Sequence, residues 1–163
     1  MERRKQAVLL IDMQDSFVDY LPEGEADRII RNQIKVIRRC GREGIPIGLV
    51  EYESEGRTID SLLDEIEEIK DDTHIFYVLK HCDNAFRETE LEETLRRLGI
   101  EELCLMGINA SACVWDTAED AVKKGFLIVT GPDVIADCLG VHTSESSDWY
   151  RKNGRWIVPA AAF

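Results

Sequence analysis

The stretch LCLMGINASACVWDTAEDAVKKGFLIV, residues 103–129, decides how this chain folds. An apolar run (Leu103 to Met106), a polar loop, a helical pattern (Ser111 to Lys124) and a second apolar run (Phe126 to Val129) form one strand–helix–strand unit. Two strands joined through a crossover helix lie parallel. The alternation continues on both sides. Further strands are expected at Ala7 to Ile11, Ile45 to Val50, Ile75 to Leu79 and Trp156 to Val158. Helices are expected over Glu25 to Glu43, where Ile30, Ile34 and Ile37 recur at helical spacing, and over Thr58 to Ile69, Thr89 to Leu98 and Thr143 to Asn153. Runs of Val, Ile and Leu without polar alternation suit strands buried on both faces. The pattern predicts an α/β fold: a three-layer, doubly wound (Rossmann-like) parallel sheet of six strands, order 3-2-1-4-5-6, with helices on both faces. No linker or repeat interrupts residues 1–163, which read as one domain.

The composition narrows the function. A net charge of −12 on 163 residues repels phosphate backbones and anionic membranes, so neither nucleic acid nor membrane is an expected partner. No segment holds the roughly 20 apolar residues that span a bilayer. The basic start, Met1 to Lys5, leads into a strand-like run and not into a signal-peptide core, so a cytoplasmic location is expected. Five cysteines, odd in number and without a C-x-x-C pair, argue against a disulfide framework or a structural zinc site. For each of them, packing as a small apolar side chain is the ordinary role.

In a parallel sheet wound in both directions, ligands bind outside the carboxyl ends of the strands. Those ends carry Asp12, Glu51 and Glu53, Lys80, the segment Ile108 to Cys113, and Gly131 to Asp133. No dinucleotide or nucleotide-phosphate glycine motif follows any strand, so the chemistry has to come from side chains. Cys113 falls in the first turn of a helix, with Asn109 or Ser111 as cap; free N–H groups there favour a thiolate, although on placement alone packing is the commoner reason for such a cysteine. Asp12 ends an apolar strand and is either a turn former or a base whose proton affinity burial raises. Lys80 is either solvent-facing or an ion-pair partner for Asp12, since the expected strand order brings the three residues within reach of one another.

Three segments carry a resemblance: LLIDMQDSF (residues 9–17), LKHCDNAFRET (residues 79–89) and GINASACVWDTA (residues 107–118). Together and in this order they resemble the isochorismatase-like cysteine hydrolases, which include nicotinamidases and N-carbamoylsarcosine amidohydrolases. The resemblance implies Asp12 as proton acceptor and donor, Lys80 as the group that polarises the site, and Cys113 as nucleophile. It also implies a non-proline cis peptide at Ile108–Asn109, with the backbone N–H groups of Asn109 and Cys113 forming an oxyanion hole. Phe17, Phe86 and Trp115 stand beside the three segments and are expected to wall a substrate pocket.

The expected activity is metal-independent hydrolysis of a C–N bond in a small amide, carbamoyl or ureido substrate, through a thioester on Cys113. The alternatives are cleavage of a vinyl ether, or a thiol redox or electrophile sensor. No cofactor is expected. No metal is expected either, because the Asp-x-His and further His of metal-binding nicotinamidases are missing from EYESEGRTID, residues 51–60. Family members commonly assemble, so the resemblance implies a homo-oligomer.

Overall fold

The computed structural model describes residues 4–138 and 143–158; of the three histidines, His142 lies outside them. The strands are β1 (Gln6–Ile11), β2 (Ile47–Tyr52), β3 (Ile75–Lys80), β4 (Glu102–Ile108), β5 (Leu127–Thr130), β6 (Ile135–Ala136) and β7 (Arg155–Trp156). The helices are α1 (Asp15–Val18), α2 (Glu25–Glu43), α3 (Asp60–Ile69), α4 (Leu91–Arg97), α5 (Cys113–Lys123) and α6 (Thr143–Asn153). The strands form one parallel sheet in the order β3-β2-β1-β4-β5-β7, which is the expected order with β7 as the sixth strand. The sequence reading lacks β6, two residues that pair with the end of β4 (Gly107 with Ile135, Ile108 with Ala136). A two-residue strand is too short to show a period.

Right-handed crossovers set the layers. From β1 to β3 the chain steps one way along the sheet, placing α2 and α3 on one face; from β3 through β7 it steps back, placing α4, α5 and α6 on the other. Gly44, left-handed at φ 65°, closes α2 where the nineteen-residue helix must turn into β2. The core sits between the layers. Every residue of β4 is buried, and so are Ala7 to Ile11 of β1. Strand β3 departs from the two-sided burial expected of it: Tyr77 and Leu79 are 68% and 54% exposed. It is the edge of the sheet, and its alternating burial shows that only one of its faces is covered.

Where β1 and β4 end side by side, their backbones approach closely. Gly107 pairs with Ile11, at φ 132°, and a Cβ there would lie 2.0 Å from the Ile11 carbonyl oxygen. Only glycine lets β4 leave the sheet against β1. The next residue of the first strand, Asp12, is itself left-handed at φ 52°, a region sparsely used outside glycine but tolerated by Asp. The buried Gln14 side chain then ties this end to the neighbouring one. It accepts from Tyr52 N–H at 2.8 Å and donates to the carbonyls of Tyr52 and Gly56 at 3.0 and 2.7 Å.

Candidate active site

Asp12 sits one residue beyond β1, 1% exposed, its N–H bonded to the Val50 carbonyl at 2.9 Å. Lys80 is the last residue of β3, two strands away, and is fully buried. Its long side chain runs under the strand ends to place Nζ 2.9 Å from Asp12 Oδ2. The same ammonium donates to the Cys82 carbonyl at 3.1 Å and lies 4.2 Å from the centre of the Tyr52 ring. A charge this deep needs such compensation, because removing an ion from water costs several kcal/mol. Neither Asp12 oxygen forms a well-aligned hydrogen bond, so charge more than direction holds the pair.

Cys113 opens α5 and is 5% exposed. Two carboxyl groups flank its thiol. Asp12 acts on it through charge and a thiol–carboxyl contact, and Asp83 Oδ1 lies 3.4 Å from Sγ. Burial, then Asp12, push the thiol's proton affinity well up, against the lowering influence of Lys80. Burial also raises Asp12 above the ordinary carboxylate range, although Lys80 and Cys113 pull it down. A helix start favours a thiolate, but here the partial charge of the helix end is outweighed by burial and by two acids. Burial and the flanking acids thus favour the thiol form of Cys113, beside a carboxyl group whose own proton affinity is raised.

The Ile108–Asn109 peptide is cis. After it the loop is clamped from several directions. Ala110 N–H donates to the Ala136 carbonyl at 3.0 Å, and the fully buried Tyr150 hydroxyl donates to the Ala110 carbonyl at 2.6 Å. Asp137 Oδ1 accepts from both Ser111 N–H and Ser111 Oγ, at 3.0 and 2.7 Å. Asn109 Oδ1 accepts from Cys138 N–H at 2.7 Å, while the Asn109 carbonyl takes the N–H groups of Ala112 and Val114, both at 3.1 Å. The side chains of Asn109 and Ser111 are thus spent on the neighbouring segment. Neither caps α5, whose N-cap is Ala112 with no side-chain bond. Among the described residues, the backbone N–H groups of Asn109 and Cys113 have no partner.

The three aromatic residues each have a different ring partner. Phe17 is half-buried with its ring 6.2 Å from that of Tyr52, Trp115 lies 6.3 Å from Trp149, and Phe86 is buried and stacked on Phe126 at 6.0 Å, toward the far end of α5. Glu51 accepts from Thr58 N–H and Oγ1 at 2.7 and 2.9 Å, and Glu53 pairs with His81. Among the described residues no group of three or more His, Cys, Asp or Glu is placed to hold a metal ion. Cys82 lends Lys80 its carbonyl, while its own thiol faces the Asn84 carbonyl at 3.6 Å.

Sequence reasoning passed over four residues of this site: Tyr52, Asp83, Asp137 and Tyr150. Asp83 lies three residues after Lys80, within LKHCDNAFRET. Asp137 follows the unrecognised β6, and nothing local marks Tyr150.

Known proteins share this fold. The nicotinamidase of Staphylococcus aureus superposes with a TM-score of 0.84 at 18% identity, covering 94% of this chain and 99% of that one. The N-carbamoylsarcosine amidase of Thermoplasma acidophilum gives 0.77 at 24% identity, covering 93% and 95%. At such identities these likenesses speak for the fold. In sequence, Nicotinamidase 3 of Arabidopsis thaliana is 27% identical across 80% of this chain and 72% of its own length. The streptothricin hydrolase of Streptomyces noursei is 25% identical across 98% and 70%. The profile of the Isochorismatase domain matches residues 6–158, nearly the whole length, and the chain therefore belongs to the isochorismatase family.

Proposed function

We propose that the protein is a cysteine hydrolase that cleaves a C–N bond of a small amide, carbamoyl or ureido compound. The observation that carries this reading is the thiol of Cys113 held beside a buried carboxylate, Asp12, which is itself paired to the buried Lys80 at 2.9 Å. Relatives named as a nicotinamidase and a streptothricin hydrolase support the amide class.

The geometry suits acyl transfer. Asp12 takes the proton of Cys113 as sulfur attacks the carbonyl carbon, so the thiolate forms only when it is used. The carbonyl π electrons move to oxygen, which receives the N–H groups of Asn109 and Cys113. Collapse breaks the C–N bond, and Asp12 hands its proton to the departing nitrogen. This leaves a thioester and frees ammonia or an amine. Water, giving a proton to Asp12, then attacks the thioester. The acid leaves and sulfur recovers its proton from Asp12. Lys80 keeps Asp12 anionic at the start of each half-reaction, and the route requires no metal.

The test is ammonia release across a panel of small amides and ureides, with Cys113→Ala as control and intact-protein mass spectrometry during turnover. Expected are turnover, its loss by several orders of magnitude in the variant, and an acyl mass on wild-type Cys113. Undiminished turnover by Cys113→Ala overturns the proposal.

A further inference from the structure

Resting on that reading, we infer that Asp83 sets the substrate class: the site takes amides that carry a positive charge close to the reacting carbonyl and turns away those that carry a carboxylate there. Asp83 is exposed, on the loop after β3, and its Oδ1 lies 3.4 Å from the attacking sulfur. A carbonyl carbon poised for attack sits about 3–3.5 Å from that same sulfur. The carbonyl carbon and Asp83 Oδ1 then lie at most about 7 Å apart, so a charged group up to three bonds from the carbonyl that extends toward Asp83 comes within ion-pair range of its carboxylate.

The balance of charge around the thiol points the same way. Lys80 is the cation that acts on Cys113, and its ammonium is turned inward to Asp12, the Cys82 carbonyl and the Tyr52 ring. Nothing of it is left for an anionic substrate. Asp116, three residues along α5 from the nucleophile, is exposed and adds a second negative charge, one that itself feels Asp83. Glu53, further out, is already paired with His81. Beneath these acids lies Asp12, 99% buried and ion-paired with Lys80, so the carboxylates nearest the surface of the site are Asp83 and Asp116.

A protonated amine or guanidinium docking on Asp83 also assists the chemistry. Asp83 is one of the charges that hold the proton on Cys113 and on Asp12. Neutralising it lets the thiol ionise more readily, so the correct substrate helps to activate its own nucleophile.

Two measurements test this. The first compares kcat/KM for 3-aminopropanamide, butanamide and succinamate, which match in length and differ in charge. Wild type is expected to prefer the cation over the neutral amide, and the neutral amide over the anion, by about tenfold each, the size of a partly screened charge contact. Asp83→Asn should collapse this order and Asp83→Lys invert it, with unchanged circular dichroism because the side chain is exposed. The second measures alkylation of Cys113 by 2-bromoethylammonium, iodoacetamide and iodoacetate, read by peptide mass spectrometry. The ratio of cationic to anionic labelling should fall at least tenfold in Asp83→Asn. Amide turnover with a charge order that survives Asp83→Asn overturns the inference while leaving the hydrolase reading intact. Absence of turnover with charge-ordered labelling that depends on Asp83 removes the hydrolase reading and keeps the charge selection. Labelling indifferent to reagent charge overturns the inference whatever the turnover.

Discussion

Replacing Lys80 by Met removes one half of a fully buried ion pair while nearly preserving its volume, and the consequence can be worked out. At 2.9 Å, with an effective dielectric constant near 20, the Lys80–Asp12 attraction is about 6 kcal/mol. Asp12 does not have to bear that loss as an anion, because it has an escape: it can bind a proton. Protonating a carboxyl whose ordinary value is about 3.9 costs about 4 kcal/mol at pH 7 and about 2 kcal/mol at pH 5.5. The smaller quantity sets the penalty, so Lys80→Met should lose about 4 kcal/mol at pH 7, in line with the 3–5 kcal/mol typical of a broken buried pair. The sign with pH follows from linkage. Burial already raises Asp12 in the wild type, and removal of Lys80 raises it further, so the folded variant binds a proton that the unfolded chain releases. Its stability therefore increases as pH falls, and the deficit shrinks toward about 2 kcal/mol at pH 5.5. Urea unfolding at the two pH values measures this. Asp12→Asn combined with Lys80→Met should unfold later than Lys80→Met alone, because neither charge then remains to be buried. A deficit under about 1 kcal/mol, a deficit equal at both pH values, or simple additivity in the double variant would refute the reasoning.

Two further outcomes follow from the geometry. Asp137→Ala frees Ser111 and loosens the loop that aims the Asn109 and Cys113 N–H groups; steady-state kinetics should show kcat down about 100-fold with KM little changed, and Asp137→Asn, which keeps an acceptor, should recover most of it. The proposed mechanism needs Asp12 ionised, so kcat/KM should fall on acidification through a midpoint above the ordinary carboxylate range. That midpoint should move to lower pH in Asp83→Asn, since Asp83 is one of the charges raising Asp12; an acid limb at the ordinary value, or one unmoved by the substitution, would remove Asp12 as the base.

The sequence by itself determined the winding order of the sheet and the strand ends where chemistry had to lie. Both depend on local pattern: apolar runs of strand length, helical spacing such as Ile30, Ile34 and Ile37, and the handedness rule that turns their succession into neighbours. Helix α2 came out with its observed ends because its apolar periodicity is long and unbroken and Gly44 stops it. What local pattern does not contain is the sum of everything packed around a group. Strand pattern leaves Lys80 either solvent-facing or paired with Asp12; its complete burial there, and the exposed Tyr77 and Leu79 on the same strand, depend on which face the rest of the chain covers. Asn109 and Ser111 read as caps, but their bonds go to Cys138 and Asp137, more than 25 residues away and beside a two-residue strand without a signature. The direction of the Cys113 shift reversed for the same reason. A helix start is a local feature, whereas desolvation and the placement of Asp12 and Asp83 against the sulfur exist only once distant strand ends have met.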